Sequence, residues 1–291
     1  MNDGIIGSGG MASHNKRGKH VLSTAAKRDY LLGTNDEELH RLQAQHNTWQ
    51  AETTDLWDRA TFRAGQTILD LGCGPGFTSL ELGERVGAGG RVLAVDGSKK
   101  FADFLRHRAA SASMTQIEVV VADVRTLDLP VASIDAVFAR WLLCFIEEPQ
   151  KVIEQVARTL KRGGHLLVMD YCTYGAFVAQ IQYPHLRRVL QAVHRSFGDG
   201  LEIGDKLPQL MERCGLEVVE VIPIGGIARP GNRIWCWIED FLRMYLPELV
   251  ARGALREEDC AAHWEEWQTN ARDPQATISS PSMVGVIGVK I

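Results

Sequence analysis

Long hydrophobic runs are missing from this 291-residue chain, and so is any excess of positive charge. No apolar stretch reaches the roughly 18–20 residues that a membrane-spanning helix requires, and none has the form of a signal-peptide core. Lysine and arginine together number 32 against 36 acidic residues, which gives a formal net charge of −4. Because a nucleic-acid-binding protein needs a basic face, this balance argues against such a partner. We expect a cytoplasmic protein with no membrane span and no nucleic-acid partner.

Paired metal ligands are missing as well. The six cysteines are scattered without C-x-x-C spacing, and none of the nine histidines stands at ligand spacing from a cysteine. A zinc site requires ligands at such spacings. Several of the cysteines lie in apolar runs, where cysteine behaves as a small hydrophobic residue. The sequence therefore predicts free thiols and no bound metal.

A glycine-rich turn is present in Thr67-Ile-Leu-Asp-Leu-Gly-Cys-Gly-Pro-Gly76. Residues 67–71 have the apolar and β-branched character of a buried strand, and a helix is predicted from Phe77 onward. Glycine lets the backbone bend sharply and approach a ligand, because no Cβ is in the way. The helix behind the turn directs free N–H groups toward whatever the turn holds. Together these features predict a nucleotide-type binding site.

The spacing of the glycines argues against a dinucleotide. Gly72, Gly74 and Gly76 form a G-x-G-x-G pattern, whereas dinucleotide-binding folds carry G-x-G-x-x-G. Asp70 lies inside the predicted strand, two residues before the first glycine. A carboxylate at that position would repel a pyrophosphate, but it suits an ammonium group or its water.

Two further predicted strands also end in an acid. Residues 91–96 form a second strand that ends in Asp96, and residues 117–123 form a third buried strand that ends in Asp123. Ligands of an open parallel sheet bind outside the carboxyl ends of its strands. Asp96 is therefore placed to accept hydrogen bonds from both hydroxyls of a ribose, and Asp123 suits the exocyclic amine of adenine.

This order of strands, acids and glycines continues into Ile134-Asp-Ala-Val-Phe-Ala139 and the turn Arg158-Thr-Leu-Lys-Arg-Gly-Gly164. The whole pattern resembles the core of the class I S-adenosylmethionine (SAM) methyltransferases over roughly residues 65–170. It is most similar to the ubiquinone/menaquinone-type and natural-product subgroup, which acts on small molecules. The resemblance implies SAM as the cofactor, with Asp70 and Gly72 at its methionine end, Asp96 at the ribose and Asp123 at the adenine.

The sequence departs from part of this family at the end of the fourth strand. Arg140-Trp141 stands where DNA and glutamine methyltransferases carry an Asn/Asp-Pro-Pro-aromatic tetrad. That departure argues against methylation of a nucleic-acid base or an amide nitrogen.

The resemblance and the pattern together predict an α/β fold. It has a Rossmann-like sheet of seven mostly parallel strands, helices on both faces and a helical insertion before the last strand. We expect residues 1–20 to be a disordered tail and residues 21–64 a helical cover. The SAM-binding core then comprises residues 65–222, the insertion residues 223–281 and the last strand residues 282–291.

Three local features are also predicted. Thr34-x-x-Glu37 has the form of a capping box, and one helix would run from there to Trp57. Residues 171–183 are expected to be a loop rich in aromatic side chains. The apolar run Ile234-Trp-Cys-Trp-Ile238 is expected to be buried, because it is apolar on both alternating faces.

The candidate site residues fall into three groups. Cofactor binding is expected from ten residues: Tyr30, Asp70, Gly72, Cys73, Gly74, Asp96, Gly97, Asp123, Val124 and Arg140. Substrate contacts are expected from five: Gln45, Trp141, Tyr174, Trp235 and Trp237. The candidate general bases are His46, Tyr171 and His185.

The insertion is expected to act as a lid. It contains some sixty residues, residues 223–281, whereas a hairpin between two strands needs only a few. Long connections are functional or disordered, and this one is too rich in apolar and aromatic residues for disorder. The alternative is an add-on that pads the sheet edge or forms a dimer contact, so a homodimer stays open.

Three classes of function compete. The first is a SAM-dependent methyltransferase that acts on an O, N or C atom of a small molecule in secondary or cofactor metabolism. The second keeps the fold and SAM but performs other chemistry, such as a pericyclic or decarboxylative step. The third is a non-catalytic binding module, which Asp70, Asp96 and Asp123 disfavour because a protein without a cofactor has no need of them. An aminopropyl transferase is a more remote alternative.

Overall fold

The computed structural model of the chain describes residues 34–291. Tyr30, the predicted tail and the first part of the predicted cover lie outside the described residues. The described helices are α1 Asp36–Thr48, α2 Gln50–Arg59, α3 Phe77–Val86, α4 Lys99–Ser111, α5 Pro149–Thr159, α6 Tyr174–Gln180, α7 Pro184–Phe197, α8 Ile203–Arg213, α9 Arg233–Ala251 and α10 Glu257–Ala271. The described strands are β1 Thr67–Leu71, β2 Arg91–Asp96, β3 Ile117–Val121, β4 Ile134–Arg140, β5 Leu160–Tyr171, β6 Leu216–Ile224, β7 Ile227–Ala228, β8 Ile278–Ser279 and β9 Met283–Lys290.

Seven of these strands form one sheet in the order β3-β2-β1-β4-β5-β9-β6. Leu69 of β1 pairs in parallel with Leu93 of β2 on one side and with Val137 of β4 on the other. Of these seven strands, β9 alone runs opposite to the other six, and it pairs antiparallel with β5 and β6. The central strands are nearly continuous apolar runs, as expected for strands buried on both faces. The predicted Rossmann-like sheet of seven mostly parallel strands is confirmed.

Helices cover both faces of this sheet. Gly285 and Gly288 of β9 are three residues apart and therefore face opposite sides of the strand. A Cβ on Gly285 would meet Leu56 of α2, and one on Gly288 would meet Met211 of α8. The two glycines let a helix approach the same strand from each side.

The chain reverses its direction of travel across the sheet between β1 and β4. From β1 it moves through β2 to β3 at one edge, and β4 then pairs on the other side of β1. The crevice outside the carboxyl ends of such a pair of strands is where ligands of open α/β sheets bind. The turns after β1 and β4 therefore form the expected position of the site.

The N-terminal helix differs from the prediction in two ways. Its cap is Asn35, whose side chain accepts a hydrogen bond from the N–H of Glu38, so the predicted capping box of Thr34 and Glu37 is wrong. The single predicted helix is also broken at Trp49, which has a non-helical backbone and a fully buried indole.

The third strand and the region after the fifth also correct the sequence analysis. β3 is half-exposed because it lies at the sheet edge, and it ends at Val121, two residues before Asp123. The predicted loop 171–183 instead contains α6, and Tyr171 still belongs to β5 because it pairs with Met283 of β9.

The insertion is helical, as predicted, but its boundaries differ. β6 continues to Ile224, and the run Ile234–Ile238 forms the first turns of α9, which Asn232 caps. The insertion also contains the short antiparallel pair of β7 and β8. Across residues 34–291, the structure has no helix with the length and apolarity needed to cross a membrane.

Candidate functional site

The glycine turn connects β1 to α3 in the conformation that its glycines predict. Gly72, Gly74 and Gly76 have φ angles of 71°, 54° and 77°, in the left-handed region that other residues avoid. A Cβ on Gly72 would lie 2.7 Å from the Leu142 side chain, and one on Gly76 would collide with Leu105. A Cβ on Gly74 would meet no described atom within 4 Å. The turn is therefore packed at both ends and has open space at its centre.

Asp96 ends β2 and binds the glycine turn. Its carboxylate accepts hydrogen bonds from the backbone N–H of Gly74 at 2.8 Å and of Ser98 at 2.7 Å. Burial raises the pKa of the Asp96 carboxyl, and the two N–H donors oppose that rise. Each carboxylate oxygen keeps a lone pair, so Asp96 can accept further hydrogen bonds at the mouth of the turn.

Asp70 lies beneath the turn and is almost fully buried. Thr78 and Ser79 on the first turn of α3 donate their hydroxyls to the same oxygen, Oδ2, at 2.9 and 2.6 Å. The other oxygen, Oδ1, has no partner among residues 34–291. Burial raises the pKa of the Asp70 carboxyl, while the two hydroxyls lower it. One oxygen thus fixes the side chain to α3, and the other is available for a donor.

The adenine-side candidates lie at the edge of the sheet. Asp123 is exposed and paired with Arg125 at 2.6 Å, because it follows an edge strand and not a buried one. Val124, the next residue, is buried. Gly97 lies near the backbone of Ala122, since a Cβ on Gly97 would be 3.9 Å from the Ala122 carbonyl oxygen.

Cys73 lies within the glycine turn. Its backbone N–H donates to the carbonyl of Val95 at 3.0 Å, and its side chain is buried. Burial raises the pKa of the Cys73 thiol, so this side chain is an uncharged packing group.

Arg140 lies at the end of β4, and it is joined to the helical cover. Its guanidinium donates to the Thr53 hydroxyl at 2.9 Å and to Nδ1 of His46 at 3.1 Å. It also lies 4.9 Å from the centre of the Trp141 ring. Burial lowers the pKa of Arg140 to about 10, and Asp70 and Glu81 oppose that shift. The side chain therefore remains a cation at neutral pH.

His46 has both ring nitrogens engaged. Besides accepting from Arg140 at Nδ1, it lies with Nε2 3.2 Å from a carboxylate oxygen of Glu81, which Gln50 also contacts. Its ring stacks on Phe77 at 5.7 Å. A general base needs a free lone pair, and the lone pair of His46 is used by Arg140. The arrangement favours a structural link over the predicted role as a base.

Gln45 belongs to a row of buried polar side chains on α1. Its amide oxygen accepts from Arg41 at 2.8 Å and from the indole N–H of Trp237 at 3.1 Å. Arg41 also forms a two-point ion pair with Glu38, at 2.7 and 2.8 Å. These contacts join the cover helix to α9 of the insertion. The sequence prediction included Gln45 and Trp237, but not the buried ion pair beside them.

Four aromatic residues form what we call the aromatic cluster: Trp141, Tyr171, Tyr174 and Trp237. Trp141 stacks on Tyr171 at 6.3 Å and on Trp237 at 6.5 Å, and Tyr174 packs edge-on against Tyr171 at 6.0 Å. Trp141 has a φ angle of 49°, a strained conformation that is most common at functional sites. The structure thus brings four of the predicted site residues together, directly after Arg140.

Tyr171 is not placed to act as a base. Burial raises the pKa of its phenol well above the ordinary value, so the hydroxyl stays protonated at neutral pH. It can donate a hydrogen bond, but it cannot remove a proton without a large cost.

Two candidates lie apart from the aromatic cluster. His185 is exposed at the start of α7, where its backbone N–H faces Glu266. Trp235 is buried against Trp267 of α10 at 4.5 Å, because it lies on the opposite side of α9 from the cluster's contacts. The structure does not bring either residue to the other predicted site residues.

Asp170 is a buried acid that the candidate set omits. It is the last residue but one of β5 and accepts backbone hydrogen bonds from Tyr171 at 2.9 Å and Cys144 at 3.2 Å. Burial raises the pKa of its carboxyl to about 6. Asp170 thereby holds the 3₁₀ turn Leu143–Phe145, which follows Trp141. The signal was present in the sequence, since an acid follows the apolar run of this strand, as Asp96 does in β2.

Two acids from a later segment hold the start of α6. Glu202 accepts from the backbone N–H groups of Tyr174 and Gly175 at 2.9 and 2.8 Å, and Asp205 accepts from that of Thr173 at 2.9 Å. They satisfy helix-end donors that would otherwise be unpaired. No sequence pattern indicated this role, because the partners are about thirty residues apart.

Residues 69–168 match a protein-family model described as a methyltransferase domain. A demethylmenaquinone methyltransferase of Oceanobacillus iheyensis is 29% identical over 126 residues, which are 43% of this chain and 52% of that protein. The chain spans about half the length of the first curated relatives it matches.

Two solved structures share the fold. One is a presumed methyltransferase from Bacillus halodurans, with a TM-score of 0.59, 18% identity and coverage of 82% of this chain and 99% of that one. The other is a phosphoethanolamine N-methyltransferase of Haemonchus contortus in complex with SAM, with a TM-score of 0.50 and 16% identity. It matches 78% of this chain and 49% of that one. Residues 69–168, which carry the glycine turn, Asp96 and Arg140, thus match a methyltransferase-domain model, and they form part of a Rossmann-like fold that solved structures share.

Proposed function

We propose that this protein transfers the methyl group of SAM to a small-molecule acceptor. The observation that carries the proposal is the juxtaposition at the end of β4. Arg140 belongs to the cofactor side of the site, and the next residue, Trp141, is the centre of the aromatic cluster. Cofactor and acceptor sites on adjacent residues suit a direct transfer between two bound molecules.

The residues around the glycine turn fit the cofactor. Gly74 faces open space, Asp70 has one oxygen without a described partner, and Asp96 has acceptor capacity at the turn. We assign Asp96 to the ribose hydroxyls and Asp70 to the ammonium group. Asp123 can accept a hydrogen bond from the adenine amine only if its ion pair with Arg125 breaks. Val124 and Gly97 would lie beside the base. Tyr30 stays a predicted contact.

The aromatic cluster is the proposed acceptor site. When bound, SAM supplies a methyl group activated by a sulfonium. The protein's part is to hold the acceptor atom about 3–3.5 Å from that carbon, which contributes roughly 7–11 kcal/mol through proximity and orientation. Large rigid rings such as those of Trp141 and Trp237 position a small molecule and exclude water. The insertion takes part because it contributes Trp237, which supports its proposed role as a lid.

The state of the three candidate bases favours an acceptor that reacts without a protein base. The lone pair of His46 is used by Arg140, Tyr171 stays protonated, and His185 lies away from the cluster. A neutral amine or a thiolate needs no base, whereas a phenol or an acidic carbon does. Among the O, N and C acceptors expected from the sequence, we therefore favour the nitrogen of a neutral amine, whose lone pair is already available, and a thiolate is the other acceptor that needs no base.

The decisive experiment is incubation of the protein with methyl-labelled SAM and a panel of small amines, thiols, phenols and hydroxy acids. Labelled product together with one equivalent of S-adenosylhomocysteine (SAH) is expected for at least one acceptor class. SAM that binds but is never converted to SAH, while an acceptor is rearranged, would instead support the pericyclic or decarboxylative alternative. A protein that binds no SAM would contradict the proposal. The cytoplasmic location and the homodimer stay predictions.

A further inference from the structure

Glu81, on α3, is a charged residue at the site that the cofactor assignment leaves without a role. We propose that Glu81 is a positioning residue that acts through His46 to hold Arg140 for the carboxylate of the cofactor's methionine moiety. The inference deepens the proposed function and rests on it. It follows from the order of hydrogen bonds between α3, α1 and β4.

The hydrogen bonds fix the tautomer of His46. A guanidinium only donates, so Nδ1 of His46, 3.1 Å from Arg140, must carry a lone pair. The proton of the neutral ring is then on Nε2, where it donates to Glu81 at 3.2 Å. The carboxylate thus selects the one tautomer that can accept from Arg140, as acids orient histidines in other sites. Without Glu81, the ring proton of His46 can move to Nδ1, where its N–H would face an N–H of Arg140.

Arg140 has donors to spare in this arrangement. Of its five N–H groups, Thr53 and His46 accept from one each, and the central carbon of the guanidinium lies over the Trp141 ring. The remaining donors have no hydrogen-bond partner among the described residues. These two hydrogen bonds and the contact with the Trp141 ring hold the guanidinium before a ligand binds.

The position of Arg140 matches one end of the cofactor. Leu71 and Ala139 are paired across β1 and β4, so the next residues, Gly72 and Arg140, lie side by side. Asp70 is close enough to affect the pKa of Arg140. A carboxylate and a guanidinium next to one glycine turn are complementary to a zwitterion. The ammonium of the methionine moiety would face Asp70, and its carboxylate would face Arg140.

Two ligands separate this role from a structural one. SAH carries the amino-acid moiety, and 5′-methylthioadenosine has the same nucleoside but lacks that moiety. We expect Glu81→Leu to weaken SAH binding by about tenfold or more in calorimetry. A loss of this size corresponds to one charge-assisted hydrogen bond. Binding of methylthioadenosine should change by less than about twofold. Glu81→Gln should restore most of the SAH affinity, because its amide oxygen still accepts from Nε2 of His46.

Two controls complete the experiment. Glu84→Leu changes an exposed acid one turn further along α3 and should leave both affinities unchanged. In the double variant Glu81→Leu with Arg140→Gln, the loss of SAH affinity should be no larger than with Arg140→Gln alone, since Glu81 acts through Arg140. Nitrogen-15 NMR of the imidazole should show His46 with its proton on Nε2 in the wild type and a shift toward Nδ1 in Glu81→Leu.

The outcomes separate this inference from the proposed function. A wild type that binds neither SAH nor SAM overturns the proposed function. If the wild type binds SAH, equal losses of SAH and methylthioadenosine in Glu81→Leu overturn the positioning role. Fully additive losses in the double variant, or a His46 proton on Nδ1 in the wild type, overturn it as well.

Discussion

At the scale of single residues, the acids of this site differ in what binds them. Asp96 is held by two backbone N–H groups, Asp70 by two hydroxyls and Asp123 by an arginine. Only the first two lie next to the glycine turn. Their position at strand ends could be predicted from the sequence, because strand ends meet at one edge of a parallel sheet. Their partners could not, since side-chain hydrogen bonds join segments far apart in the chain.

Asp96→Ala tests the cofactor assignment at this scale. The substitution removes the acceptor for the ribose hydroxyls and the link to Gly74, each a charge-assisted hydrogen bond of about 1.5–3 kcal/mol. We expect SAH affinity to fall by roughly ten- to a hundredfold in calorimetry. Asp103→Ala, which changes an exposed acid on α4, serves as the control. Equal affinities for SAH in the wild type and Asp96→Ala would remove Asp96 from the site.

Gly76→Ala tests the turn itself. Alanine at a φ of 77° costs about 1–2 kcal/mol, and its Cβ would also collide with Leu105, so the total should exceed the backbone cost alone. Gly253→Ala after α9 is the matched control, because its φ is 70°, the bond from the Ala254 N–H to the Leu249 carbonyl is that of a left-handed helix cap, and its Cβ would meet no described atom within 4 Å. Urea unfolding should show a larger loss of stability for Gly76→Ala. Equal losses would mean that Leu105 moves aside at no cost.

At the scale of elements, the type of most helices and strands followed from periodicity, but their neighbours did not. The helix α6 was missed because it is short and needs Glu202 to cap its start. The two tryptophans of the run Ile234–Ile238 illustrate the limit. As residues of one helix two positions apart, Trp235 and Trp237 face different neighbours, α10 and α1. Sequence alone treated them alike.

This difference makes Trp235 and Trp237 a matched pair for testing the lid. Trp237→Phe loses the bond to Gln45 and part of the stacking on Trp141, so methyl transfer to the acceptor found in the labelled-SAM assay should slow by about tenfold. Its SAH affinity should stay within about twofold. Trp235→Phe should leave transfer unchanged, because that ring packs within the insertion. Loss of SAH binding in Trp237→Phe would refute the separation of lid and cofactor site.

At the scale of the whole molecule, the sheet of seven mostly parallel strands followed from the resemblance, while burial of each strand depended on its place in the sheet. The third strand, residues 117–123, was expected to be buried because most of it is apolar, yet β3 is half-exposed as an edge strand. An edge position is a property of the assembled sheet and leaves no mark in a run of five residues. The same holds for titratable groups, whose pKa depends on what the fold packs around them.

Two buried groups make the stability of the fold depend on pH in opposite directions. Burial lowers the pKa of His263 to about 4, with His185 and Arg243 contributing and Glu239 opposing. Within residues 34–291, neither ring nitrogen of His263 has a hydrogen-bond partner. Its contribution to stability is therefore present above its unfolded pKa of about 6.5 and is lost as the pH falls toward 4. Asp170, with its raised pKa of about 6, instead contributes stability at low pH that is lost as the pH rises through 6.

A variant of His263 separates these two effects. His263→Leu removes the titration of the histidine and leaves that of Asp170 in place, since leucine has a similar volume and no charge. Between pH 7 and pH 5, the wild type should lose about 2 kcal/mol more unfolding free energy than His263→Leu does. Urea unfolding at the two pH values measures this difference directly, and His107→Leu, on α4 and far along the chain from α10, is the control that should behave like the wild type. If the wild type and His263→Leu change equally with pH, the imidazole must be protonated as readily in the folded chain as in the unfolded one, and α10 must open to water at pH 5.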